Sequence, residues 1–282
     1  MNKRQIIYIA LIAVLLIVFG ISTFYVISYF SESHEQQEQF NELADIVANI
    51  QSQTPTTAPT TGTPGNAVPE DTTAPSTDEN GETIETTAPV LEMLPEYAAL
   101  YEMNPHIVGW IKIDGTVINY PVMQTPDHVD YYLKRNFNGE KSSRGCIYVR
   151  EQCDVFKPSD NLTIYGHNMN DGSMFHSLKN YTYKSYWEGN NLITFDTLYE
   201  RHTYQIFAVF KTTATMGEGF TYHLFVDAKN EEEFNEFVAT CKELALYDTG
   251  ITPTYGDKLI CLSTCEYSEY NGRLVVVAVR ID

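Results

Sequence analysis

Three short segments of this chain carry side chains able to act together on a carbonyl group. The first is residues 258–266 (KLICLSTCE), where Leu259, Cys261, Ser263 and Cys265 alternate with Ile260, Leu262 and Thr264. A period of two predicts a strand with the two sets on opposite faces. Cys261 and Cys265 then share a face about 13 Å apart at strand rise, too far for a disulfide between them. Cys265 stands where the strand runs into a polar turn at 266–272 (EYSEYNG), within reach of solvent and substrate. As a thiolate it would be a nucleophile; the same position also suits a structural cysteine at a strand end. The second segment, residues 273–280 (RLVVVAVR), reads as another strand. Antiparallel pairing across the turn brings Arg273 close to Cys265. A guanidinium there would favour the thiolate and hydrogen-bond an oxyanion or a substrate carbonyl, unless it only extends to solvent from a strand end. The third segment, residues 163–169 (TIYGHNM), places His167 at a strand-to-loop junction, alone in this among seven histidines. Imidazole titrates near neutrality and suits acid–base work; a loop histidine without a role fits the same place.

The elements that must hold these groups are mainly strands. Candidates are 108–113, 116–122, 145–149, 162–165, 192–195, 203–211, 258–264 and 273–279, with Asp114-Gly115 marking a hairpin between the first two. Helical stretches fall at 94–103, 173–180 and 230–246, the last with Phe234, Phe237, Val238, Cys241 and Leu244 at helical spacing. The fold class is therefore mainly β, a mostly antiparallel barrel or sandwich with inserted helices.

Ahead of this domain the chain changes character three times. Residues 6–30 are almost continuously apolar and long enough to span a bilayer. Lys3 and Arg4 precede them while Glu32 and Glu35 follow, which orients residues 1–5 to the cytoplasm and the rest outside. A cleaved signal peptide would be shorter and end in small residues, unlike Tyr29-Phe30-Ser31-Glu32. Residues 31–53 carry Phe40, Leu43, Val47 and Ile50 at helical spacing, as in a stalk helix with a self-association stripe or a solvated extension of the membrane helix. Residues 54–89 repeat Thr-Thr-Ala-Pro three times, a composition expected to be disordered and to act as a spacer. The catalytic domain is expected over 90–282.

Composition narrows the function. The formal net charge is −19, and no Lys or Arg occurs between Arg4 and Lys112, so nucleic acid is not an expected partner. Five cysteines leave at least one unpaired. Their spacing shows neither CxxC nor a Cys/His ligand cluster, and no GxSxG, HExxH, P-loop or GxGxxG occurs. No metal or cofactor is expected.

Taken together and in order, Tyr165-Gly166-His167-Asn168-Met169, Leu262-Ser263-Thr264-Cys265 and Arg273 resemble the sortase family. So do Val108-Gly109-Trp110-Ile111, Gly115-Thr116, Tyr120-Pro121-Val122, Tyr131-Tyr132-Leu133 and Gly145-Cys146-Ile147-Tyr148. The similarity covers nearly all of 105–282 and is greatest to class B, with its Leu-Ser-Thr-Cys and Gly-His-Asn-Met segments and the long helix between the sixth and seventh strands. The resemblance implies an eight-stranded sortase-type barrel behind a single-pass anchor, and a Cys265–His167–Arg273 site. It implies a transpeptidase that cuts a C-terminal sorting motif of secreted proteins at its Thr carbonyl, through a Cys265 thioester. The acyl group would pass to an amine of peptidoglycan or of its lipid-linked precursor. Ser263, Leu133 and Tyr222 are the expected substrate contacts. A hydrolytic cysteine protease and a non-catalytic surface receptor are the alternatives.

Overall fold

The computed structural model describes residues 2–53, 91–215, 217–268 and 270–282; the expected spacer at 54–89 lies outside them. Eight strands close into a barrel: β1 (Ile107–Lys112), β2 (Asn119–Met123), β3 (Ile147–Val149), β4 (Asn161–Tyr165), β5 (Leu192–Thr197), β6 (Thr203–Thr213), β7 (Leu259–Cys265) and β8 (Gly272–Arg280). Their order around it is β1-β2-β3-β4-β7-β8-β6-β5. Most neighbours are antiparallel, but β2 with β3 and β4 with β7 run parallel. Each expected strand is present. The first turn is longer than a two-residue hairpin: Ile113 N–H donates to the Ile118 carbonyl at 3.0 Å, and Thr116 is drawn into the turn by its own hydroxyl, which donates to the Ile113 carbonyl. The stretch expected as a helix at 173–180 is a 3-10 run, Phe175–Thr182.

Period-two alternation sorts β7 and β8 between two cores. Ile260, Leu262, Leu274, Val276 and Ala278 face the barrel interior. Leu259, Cys261, Val275, Val277 and Val279 face outward, into a second core with Phe234, Phe237, Val238 and Cys241 of α4 (Glu231–Leu244). That helix begins where the Asn230 side chain accepts a hydrogen bond from Glu233 N–H at 3.0 Å. Three glutamates occupy its first turn and Lys242 its last, charges that suit the helix dipole.

The N-terminal helix α1 runs unbroken from Lys3 to Gln53. From Ile7 onward it is long and apolar enough to cross a membrane, with none of its apolar window buried. Beyond that window it lies on the barrel. Gln36, Phe40, Leu43 and Val47 are buried, spaced four, three and four apart as one helical stripe requires, and the Phe40 ring meets Tyr120 edge-on at 5.1 Å. Phe40, Leu43 and Val47 of the stripe at 31–53 thus belong to the same core as the barrel. α2 (Pro95–Met103) packs beside it, where Gln51 donates to Glu96 at 3.2 Å.

Candidate active site

Strand order brings the three predicted residues to one rim of the barrel. β4 and β7 run parallel with Tyr165 opposite Ser263. Two residues further along each strand direction lie His167 and Cys265. β8 returns antiparallel with Arg273 directly opposite Cys265. Cys265 and Arg273 continue the outward-facing sets of their strands. Along β7, Leu259 and Cys261 are covered by the outer core, and the Tyr222 hydroxyl closes over Ser263, with oxygens 2.6 Å apart. Cys265, the next outward position, is half-buried.

Burial separates this thiol from the other four, all unpaired and buried. Burial pushes the Cys153 thiol up to about 11 and drives Cys146, Cys241 and Cys261 further in the same direction. Such thiols stay protonated and unreactive.

His167 has a defined tautomer. Its Nε2 lies 2.8 Å from the Leu133 carbonyl oxygen, which can only accept, so Nε2 carries a proton and Nδ1 is the nitrogen left to exchange one with a ligand. Gly166, just before it, packs where a Cβ would fall 2.6 Å from the Phe175 ring and 2.5 Å from Ile147. The glycine carbonyl accepts from Thr264 Oγ1 at 2.8 Å, and its N–H donates to the Ser263 carbonyl at 3.1 Å. These bonds tie the His167 segment to the nucleophile strand. Arg273 donates from Nη1 to the carbonyls of Asn271 and Gly272 at 3.2 and 3.0 Å. A guanidinium has five N–H donors, and among the described residues these two bonds leave the other nitrogens for a ligand.

A cleft of about 270 Å3 gathers all six predicted residues: Leu133, His167, Tyr222, Ser263, Cys265 and Arg273. Burial pushes the Tyr222 phenol up to about 12, so it remains a neutral donor.

Two neighbours were not singled out from sequence. Asn168 donates to the Cys265 carbonyl at 3.0 Å, and its Oδ1 lies 2.8 Å from His176 Nδ1; its place beside His167 in the motif is the signal that could have found it. His223 also lines the cleft. Burial first, then the Arg150 and Arg273 charges, lower its pKa and favour a neutral imidazole. Nothing in its local sequence marks it.

Comparison with known proteins agrees with this geometry. The sortase domain model matches residues 111–281. Sortase B of Staphylococcus aureus is 33% identical over 186 residues, covering 65% of this chain and 74% of that protein. A Staphylococcus aureus sortase B–substrate complex superposes with a TM-score of 0.70 at 26% identity, covering 89% of this chain and 98% of that one. A sortase B structure complexed with triglycine gives a TM-score of 0.61 at 33% identity, covering 67% and 86%. With this barrel and this match along the chain, the protein belongs to the sortase family of cysteine transpeptidases and is most like class B.

Proposed function

We propose that the cleft joins a C-terminal sorting motif of a secreted protein to an amine of the cell wall. The Cys265 thiolate attacks the Thr carbonyl of the motif, of the Asn-Pro-x-Thr or a related Pro-x-Thr-Gly type. The C–N bond breaks, the leaving amine takes a proton from His167 Nδ1, and a thioester remains. A peptidoglycan amine, in the wall or on a lipid-linked precursor, attacks the thioester. It gives its proton to His167 and restores the thiolate. Arg273 holds the oxyanion in both steps, while Leu133, Tyr222 and Ser263 contact the peptide. The apolar part of α1 spans the membrane with its N-terminus in the cytoplasm and the barrel outside.

The observation that carries this proposal is the register: Cys265 lies opposite Arg273, and the end of β4 delivers His167 beside them. The substrate and triglycine complexes of sortase B relatives support a peptide donor and an amine acceptor. The test is a panel of sorting-motif peptides given to the full chain in detergent, with and without triglycine, read by mass spectrometry. Peptide–amine conjugates cut after Thr are expected. Hydrolysis alone in the presence of amine would identify a protease, and binding without turnover a receptor; either overturns the proposal.

A further inference from the structure

Two polar routes run to His167 from the part of α1 that follows its apolar run. The first starts at Gln36, which is 5% exposed. Its Nε2 donates to the Gly145 carbonyl at 2.7 Å, and its Oε1 accepts from Ser142 Oγ at 2.5 Å. Glu32, one turn earlier, accepts from Ser143 N–H at 2.7 Å. Gly145 lies hard against the backbone that serves His167. Its φ is +59°, and a Cβ there would fall 2.4 Å from the Leu133 carbonyl oxygen. That oxygen is the acceptor for His167 Nε2. Gln36 therefore secures the segment that fixes the imidazole's tautomer.

The second route starts at Ser33. Its hydroxyl lies 3.0 Å from Asp171 Oδ2 and also meets the Arg144 guanidinium. Arg144, 3% exposed, pairs with Asp171 and donates to Ser173 Oγ at 2.6 Å. A cation buried this deeply is held only by complete pairing. Asp171 and Ser173 belong to the loop that leaves His167, pinched by a bridge between Asn168 and Met174. At that loop's base the His167 carbonyl accepts from Phe175 N–H at 2.9 Å. Asn168 in the same loop holds the Cys265 carbonyl.

We infer that Gln36 and Ser33 are positioning residues for His167, so that the helix leaving the membrane is a working part of the active site. The inference rests on the acid–base role proposed above for His167. It has a geometric consequence. Gln36 follows Phe30, the last residue of the apolar run, by six positions, about 9 Å of helix rise. The cleft is thereby held close to the outer membrane surface and meets sorting motifs there.

The test compares Gln36→Leu and Ser33→Ala with the parent chain, each full length in detergent. Gln36→Leu keeps the volume and removes both bonds; Ser33→Ala removes one hydroxyl and is the milder change. Small misplacements of a catalytic group cost on the order of 10- to 100-fold. Gln36→Leu should lower kcat about tenfold with KM little changed, shift the pH limb of kcat that belongs to His167, and populate the Nδ1–H tautomer in the imidazole 15N spectrum. Ser33→Ala should move the same pH limb by less. A lowered melting temperature with the pH profile and imidazole spectrum unchanged in both variants would overturn the inference and leave a purely structural contact. His167→Gln separates the two claims. Full turnover in that variant would remove the proposed acid–base role, and the inference with it. Loss of turnover there, with unmoved profiles in the α1 variants, would sink the inference alone.

Discussion

Five thiols are distributed over this chain, and their surroundings decide which can react. Four sit in apolar cores that penalise the thiolate. Cys265 occupies the last outward position of β7, where the covering layer stops and a guanidinium stands opposite. The guanidinium is planar with several donors in fixed directions, whereas an ammonium is a point charge. Arg273→Lys should therefore keep a charge near the thiolate and still lose about 100- to 1,000-fold in kcat, the range seen when an oxyanion donor is removed. Steady-state rates on a sorting-motif peptide measure this. A rate within twofold of the parent would give Arg273 a structural role. The pairing of Cys265 with Arg273 was legible because a hairpin is local: seven residues separate them, and alternation fixes the shared face. His167 was legible only through the joint order of motifs. It reaches the site by parallel pairing of β4 with β7, strands 98 residues apart at Tyr165 and Ser263, and no local periodicity encodes that pairing.

The elements themselves followed their patterns, with differences where side chains compete for the backbone. All eight strands coincide with alternating or apolar runs, while Thr116 diverts the start of β2 into a turn. α1 was legible as a helix, and its stripe too, but not what the stripe covers. A row of Phe40, Leu43 and Val47 fits a partner copy as well as a barrel wall. The contact of α2 with the barrel adds a titratable joint. Asp196 of β5 is 5% exposed and accepts from the Tyr97 hydroxyl at 2.7 Å; close by, the Glu96 carboxylate of α2 pairs with Arg201. Burial, outweighing the Tyr97 bond, raises the Asp196 pKa. A carboxyl with a raised folded-state pKa binds its proton more tightly when folded. Its contribution favours the native state at acid pH and is lost as pH rises from the ordinary carboxylate range through the raised value. Asp196→Asn, which still accepts from Tyr97, removes that titration. Melting temperatures from pH 4 to pH 8 should show the variant gaining on the parent as pH rises; parallel curves would contradict the assignment.

At the scale of the whole molecule, the N-terminal helix and the barrel are one packed body. Gln51 of α1 bonds Glu96 of α2, so the chain departs at Gln53 and is back beside the same surface by α2. The Thr/Pro-rich segment at 54–89 therefore does not set the distance between the apolar helix and the barrel; α1 does. Replacing 54–89 by a short flexible linker should leave turnover of a soluble peptide within about twofold and the melting temperature unchanged. Phe40→Ala should destabilise the protein by about 3–5 kcal/mol, the usual cost of a large buried ring, read as a lowered denaturation midpoint. A strong loss from the linker exchange, or none from Phe40→Ala, would contradict the packed arrangement. The claim on which the rest depends is that Cys265 carries the acyl group. Intact-protein mass spectrometry of the full chain, quenched in acid during turnover of a sorting-motif peptide, tests it most directly. The result predicted is a single acyl adduct, mapped by proteolysis to Cys265, absent in Cys265→Ala and discharged faster when triglycine is added. An adduct on another residue, turnover by Cys265→Ala, or a discharge rate indifferent to the amine would contradict it.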